Sequence, residues 1–450
     1  KIEILGYGHA PSLGVHRGVV NNITQTINSI KLAVSQAEAM SGIKIEEVTV
    51  GIAGQHIRSL HHSDYITRLN AEEVIDEEDL RLLINQVYKL VMLPGEEIIH
   101  VLPQEYKVDN EDEIEEPIGM YGSRLEANFH VVIGQVASIR NIARCVKNAG
   151  LRLSGITLEP LASSNAALSP EEKEAGVALV DIGGGTTDIA VFKDNVIRHT
   201  SVIPFGGNVI SEDIKTGCSI IGRQAELLKE RYGSAWPGEN KETEIVSIPG
   251  LKGRGSKEIS LKRLSQIINA RVQEIFEQVF LELKNYGCEE QNSKLIAGIV
   301  LTGGGSKLKH IRQLTEYITG MDVRIGYSNE HIVGAKAEEL SGPEYATAVG
   351  LLMKGIEELE NKQMKELYAN PMTENIIGSM SKDSSSDQTL NLSKAETENK
   401  EKHQNKEEEK EDELMGVKLG SKVKSSEKPK KSNIFSKWTD KFIQMINETE

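Results

Sequence analysis

Two glycine clusters carry the residue types best suited to chemistry. The first, GVALVDIGGGTTDIAVF at residues 176–192, runs a largely apolar stretch into Asp181, turns through three glycines and two threonines, and leaves as a second strand over 189–192. Glycine lets the backbone turn tightly with its N–H groups outward and leaves room for a large anion. Gly183, Gly184 and Gly185 therefore make a candidate phosphate cradle, with hydroxyl donors from Thr186 and Thr187. Asp181 stands where a carboxylate could hold the water shell of a Mg2+ ion. A plain hairpin turn accounts for one or two of these glycines but not for the whole set. The second cluster, IVLTGGGSKLKHI at 299–311, sends a buried strand into Gly303, Gly304 and Gly305 and then into a helix over 306–319, read as capped by Ser306. It matches neither G-x-x-x-x-G-K-[ST] nor G-x-G-x-x-G, and alone a tight strand-to-helix turn explains it as well.

Such loops need strands and helices to hold them, and the chain supplies both up to about residue 360. Residues 21–40 place Ile23, Ile27, Ile30, Leu32, Val34 and Ala37 at helical spacing, ahead of a strand over 47–52. A second unit over about 57–135 is expected to open with a helix N-capped by Asp76, with Asp79 as its third residue. Strands over 98–108 and 125–134 follow, separated by an acidic solvated turn over 109–117. A helix over 137–149 and a strand over 151–158 return to the first layout, and helices around 211–232 and 260–286 lie between the glycine clusters. This βα alternation predicts an α/β protein with two sheet-bearing lobes.

Composition narrows the function classes. The 450 residues hold 52 Lys and Arg against 67 Asp and Glu, a net charge of −15, which argues against nucleic-acid binding driven by overall positive charge. No apolar run is long enough to cross a bilayer. Three widely spaced cysteines (Cys145, Cys218 and Cys288) argue against a disulfide framework or a zinc module and suit a reducing cytosol.

The C-terminal end has a different character. Of the 20 residues over 394–413, 14 are charged, too polar a stretch to offset its ordering entropy, so a disordered linker is expected over 361–431. Residues 414–431 carry six lysines against one acid. Beyond them Ile434, Phe435, Trp438, Phe442, Met445 and Ile446 fall on one arc of a helix over 432–447, bordered by Lys437 and Lys441. Such a helix is too short to span a bilayer but suits its interface, with the lysines attracted to anionic lipid.

Together the two glycine clusters resemble the actin-like ATPase superfamily of sugar kinases, heat-shock chaperones and bacterial actins. DIGGGTTD is similar to its second phosphate loop and LTGGGSKL to its adenosine loop, while LEPLASSNAAL at 158–168 and ATAVGLL at 346–352 resemble its two connecting helices. The resemblance implies that Glu159 positions the hydrolytic water. It also implies that Glu226 and Lys229 of AELLKERYG meet ribose and base, and that Gly206 and Gly207 lie beside the phosphates.

Most of the body resembles one family, the bacterial cell-division protein FtsA. The segments that carry this are GVHRGVVNNITQTINSIKLAVSQAE at 14–38, VGIAGQHIRS at 50–59, LASSNAAL and PFGGNVISEDI at 204–214. The resemblance implies subdomain IA at 1–56 and 136–174, IC at 57–135, IIA at 175–213 and 293–360, and IIB at 214–292. It further implies an ATP- and Mg2+-binding scaffold, slow at most in hydrolysis, that self-associates into filaments. Such a scaffold tethers the tubulin-like protein FtsZ to the cytoplasmic face of the membrane at the division septum. The C-terminal peptide of FtsZ would bind IIB, where Arg263, Arg271 and Lys284 are candidate partners, and later division proteins would bind IC. Members of that family begin with a strand, a D-x-G-T-T-K type first phosphate loop and a second strand, all upstream of what is Lys1 here. The chain is therefore expected to be a fragment, to bind ATP and Mg2+ weakly as it stands, and to lack two strands of its first sheet. Two alternatives share the fold: a small-molecule kinase, and an actin-like assembly protein of a pilus or secretion system.

Overall fold

The computed structural model describes residues 1–250, 252, 254–287, 295–328 and 330–368, with backbone alone for 362–368. The membrane-facing helix read over 432–447 lies outside the described residues, as does the linker beyond residue 368. At 361, where that linker was placed, the chain is still within the helix Ala346–Tyr368. Two compact units divide the chain: Lys1–Glu358 belongs to the first and holds the architecture below, and Leu359–Asn433 is described only through the last turns of that helix.

The second lobe is built on a five-stranded sheet in the order Val196–Ile203, Thr187–Lys193, Val177–Ile182, Ile299–Thr302, Val323–Ile325. Val177–Ile182 takes the centre because its run of aliphatic residues can be covered on both faces, and all six residues are buried. Val180 and Ile182 face a layer of helices, while Val177 and Leu179 face the opposite layer with Val349 and Ala166. The strand runs antiparallel to Thr187–Lys193, pairing Asp181 with Asp188, and parallel to Ile299–Thr302, pairing Asp181 with Thr302. Both glycine clusters therefore leave neighbouring strands at the same end of the sheet, where α/β proteins bind ligands.

Four helices cover one face: Gly207–Cys218, Gly222–Tyr232, Leu261–Tyr286 and Ile311–Thr319. The longest buries Leu264, Ile268, Val272, Ile275, Val279 and Leu283 along one stripe and stops at Gly287, whose left-handed φ of 97° glycine adopts without strain. Sequence reading placed a helix over 306–319 capped by Ser306. Instead a 3-10 turn spans Gly304–Lys307, and the α-helix begins at Ile311 after His310. The Ser306 hydroxyl donates back to the Gly303 carbonyl at 2.7 Å and caps nothing.

The first lobe has a parallel pair, Glu47–Ile52 with Arg152–Leu158, flanked by helices Ile23–Ser41 and Val136–Asn148. Inserted between its two strands is an antiparallel sheet in the order Ile57–Thr67, Arg124–Gln135, Glu96–Val108, Glu111–Ile114, with helix Glu77–Val87 alongside. Asp76 caps that helix in a reciprocal box with Asp79, as the sequence predicts. The inserted unit opens with the strand Ile57–Thr67, not with the helix, and the acidic turn contains a short edge strand, Glu111–Ile114. The tight part of that turn is held by Asp109, whose carboxylate accepts the backbone N–H of Arg124 at 2.8 Å.

Candidate functional site

The turn between Val177–Ile182 and Thr187–Lys193 is braced from behind by the Gly206–Gly207 pair. Gly207 N–H donates to the Gly183 carbonyl at 2.9 Å and Asn208 N–H to that of Gly184 at 2.8 Å. A Cβ on Gly206 would stand 2.5 Å from the Gly183 carbonyl oxygen, so only glycine allows this approach. Gly303 closes the other side: its φ is 79°, and a Cβ there would lie 2.3 Å from Asp181 Oδ1. Three glycine segments thus converge on one spot. The two threonines are committed locally: Thr187 donates to the Phe205 carbonyl and Thr186 to Asp188 Oδ2, each at 2.8 Å. In this conformation both hydroxyls brace the loop rather than face an incoming anion.

A cavity of about 210 Å³ opens beside Gly183, Gly207, Gly304 and Gly305. Its apolar wall is Val272, Ile275, Phe276, Leu308 and Ile311, and its polar rim is Asn208, Glu226, Lys229 and Glu230. Lys229 Nζ lies 2.8 Å from Glu226 Oε1 and donates to the Gly207 carbonyl at 3.0 Å, while Ser211 donates to the other Glu226 oxygen. Helix Gly222–Tyr232 presents this pair because positions three apart share a face.

A larger cavity, about 640 Å³, lies on the other side of the loop. Glu159, Asp181 and Asp188 line it together with Gly183, Gly184 and Gly185, and its far wall is aliphatic, including Val48, Val50, Ile142 and Val146. Burial raises the pKa of all three carboxyls, and mutual repulsion adds to the effect for Glu159 and Asp188. Glu159 is pushed up to about 7, first by burial and then by Asp181. Asp181 is raised less freely, because Ser163 and Thr347 donate to it. The Oδ1 atom of Asp188 is buried without a hydrogen-bond partner.

A family model described as "Cell division protein FtsA" matches residues 178–350, and one described as "SHS2 domain inserted in FTSA" matches residues 54–133, which brackets the inserted sheet. The curated cell division protein FtsA of Neisseria meningitidis serogroup B is 40% identical over 352 residues, covering 78% of this chain and 84% of its own length. That of Bacillus subtilis is 35% identical over 353 residues, 78% of each chain. The chain belongs to the FtsA family. Among solved structures, the PilM-PilN type IV pilus biogenesis complex aligns with a TM-score of 0.55 at 16% identity, over 77% of this chain and 89% of that one. At that identity the likeness shows the fold alone, an actin-like ATPase fold, and this FtsA-family chain shares it.

Among the described residues of this FtsA-family chain, no group of three or more His, Cys, Asp or Glu is placed to ligate one metal ion directly. The three raised carboxyls and the unpartnered Asp188 oxygen fit a hydrated cation instead, held through water as Mg2+ prefers. Among the described residues, no helix is long and apolar enough to cross a membrane. The candidate lipid contacts Ile434, Phe435, Lys437, Trp438, Lys441, Phe442, Met445 and Ile446 lie outside the described residues.

The candidate partner residues on helix Leu261–Tyr286 are not equivalent. Arg271 is held by Asp213, with Nε to Oδ2 at 2.5 Å, and also by Glu274, so its charge is spent within the protein. Arg263 donates to the Gly217 carbonyl at 3.1 Å and is exposed, and Lys284 lies over the Phe280 ring at 4.3 Å. The sequence alone assigns no role to Asp188, Ser163 or Thr347. Asp188 was legible as the acid directly across the hairpin from Asp181; the two hydroxyls sit in quoted motifs but have no local signature.

Proposed function

We propose that this FtsA-family chain binds ATP with Mg2+ between its two lobes and serves as a membrane-tethered scaffold of cell division. Membership of the family supports the cell-division role. The observation that carries the nucleotide reading is the convergence of three glycine segments on buried carboxyls, beside an apolar cavity rimmed by Glu226 and Lys229. In this reading Gly183, Gly184 and Gly185 face the phosphates, Gly206 and Gly207 buttress them, and Gly303, Gly304 and Gly305 border the adenosine with Glu226 and Lys229. Asp181 and Asp188 hold water on Mg2+, and Glu159 orients a water near the terminal phosphate. Subdomains IA, IC, IIA and IIB follow the boundaries given above, self-association builds filaments, and the FtsZ C-terminal peptide meets IIB near Arg263, Arg271 and Lys284.

Binding by this chain is expected to be weak, because the first lobe meets the larger cavity with aliphatic side chains. Titration with a fluorescent ATP analogue tests this: saturable binding that strengthens with Mg2+ and is lost in Gly303→Val supports it. Equal signal from wild type and Gly303→Val would defeat it. The anchoring half is tested by flotation with anionic liposomes. The full chain should float and a chain lacking 434–450 should not, while a deletion that floats equally well removes the membrane role.

A further inference from the structure

Two helices cross between the lobes, and one carboxylate is bonded to both. Helix Glu159–Ala167 and helix Ala346–Tyr368 meet where Gly350 lies on Ala162: a Cβ on Gly350 would stand 1.8 Å from the Ala162 carbonyl oxygen. Within one turn of that contact, Ser163 Oγ and Thr347 Oγ1 lie 2.8 Å apart. Ser163 donates to Asp181 Oδ2 at 2.6 Å, and Thr347 donates to the same oxygen at 3.0 Å. Hydroxyls inside a helix commonly bond back to their own helix. Ser164 does so, donating to the Leu161 carbonyl at 2.8 Å, whereas its neighbour Ser163, fully buried, turns away to another strand. With Oδ2 taken by both donors, Oδ1 is the oxygen left facing Gly303.

We propose that Ser163 and Thr347 are positioning residues that set the orientation of the Asp181 carboxylate, and that the close crossing at Gly350 makes this orientation depend on the register of the two inter-lobe helices. A shift of one helix along the other pulls away one donor and lets the carboxylate turn. Asp181 thereby senses lobe closure, and a nucleotide-bound cation that needs its Oδ1 favours the closed crossing. This rests on the nucleotide and Mg2+ reading given above.

The test titrates the full chain with a fluorescent ATP analogue, in Mg2+ and in EDTA, and follows amide hydrogen exchange without ligand. The Ser163→Ala/Thr347→Val double variant should lose about tenfold of the affinity gained from Mg2+ while keeping its affinity in EDTA. Gly350→Ala, which retains both hydroxyls, should show the same signature, and Thr347→Ser should keep the wild-type gain. A double variant with the wild-type Mg2+ gain overturns the proposal, as does one that loses affinity equally in both buffers. A wild-type chain that takes up no analogue in either buffer defeats the nucleotide reading itself. Exchange then decides on the clasp alone: Asp181→Ala should speed exchange in both crossing helices, and unchanged exchange in either one overturns it.

Discussion

The two cavities share Gly183, Gly184 and Gly304, yet only the smaller has a cationic side chain among its described lining residues. In the smaller one, Glu226 is already balanced by Lys229 and Ser211, and the wall behind them is apolar. The larger one gathers Glu159, Asp181 and Asp188, with no Lys, Arg or His among its described lining residues. An apolar wall beside the paired Lys229 and Glu226 suits a flat, largely neutral base and its ribose. An uncompensated acidic wall beside glycine N–H groups suits a cation carried in with an anion. One cavity holds an acid with its cation in place, and the other gathers acids with no cation beside them.

Removing the glycine frame that both cavities share should have the largest effect. Gly206→Ala forces a Cβ against the carbonyl oxygens of Gly183, Gly184 and Thr186 at 2.5, 2.9 and 2.9 Å. It should cost about 3 kcal/mol in thermal or urea unfolding and abolish analogue binding in both buffers. A variant as stable as wild type would show that the loop is not braced there.

A medium effect belongs to the larger cavity and its three carboxyls. The folded pKa of Glu159, about 7, lies above its ordinary 4.5, so the folded state holds this proton more tightly than the unfolded chain does. Its contribution to ligand-free stability is therefore full below about pH 4.5 and falls as pH rises toward 7, by on the order of 3 kcal/mol. Asp188, raised by burial and by Glu159, acts in the same direction. Glu159→Gln should flatten the stability profile across that window, and an unchanged slope in denaturant titrations at several pH values would contradict it.

The smallest effect on stability belongs to the smaller cavity. The Lys229–Glu226 pair is partly exposed, so Lys229→Met should change stability by only about 0–1 kcal/mol. The same variant should weaken the ATP analogue by about tenfold, equally with and without Mg2+. A loss confined to the Mg2+ buffer would place Lys229 in the wrong cavity.

What the sequence shows of this molecule follows from how local each signal is. The Asp76–Asp79 capping box, the first glycine turn and the helix over 260–286 are complete within a few turns of chain, and the structure has them as read. Strand Ile57–Thr67 is hidden because its alternation runs through His62 and Asp64 as well as aliphatic residues, so its period-two pattern lacks hydrophobic contrast. Ser306 has the right residue type for a cap, but the left-handed His310 delays the helix. For the site, Asp181 and the glycines are legible because turn chemistry demands them. The engagement of Thr187 with Phe205, and of Ser163 and Thr347 with Asp181, depends on partners as far as 166 positions away, which no local pattern encodes.

The most direct test is a crystal structure of the chain with a non-hydrolysable ATP analogue and Mg2+. The terminal phosphates should lie against Gly183, Gly184 and Gly185, the base in the cavity bordered by Phe276 and Lys229, and a metal ion should be reached through water from Asp181 and Asp188. An analogue bound elsewhere, with the glycine turn bare and no metal beside these carboxylates, would contradict that placement.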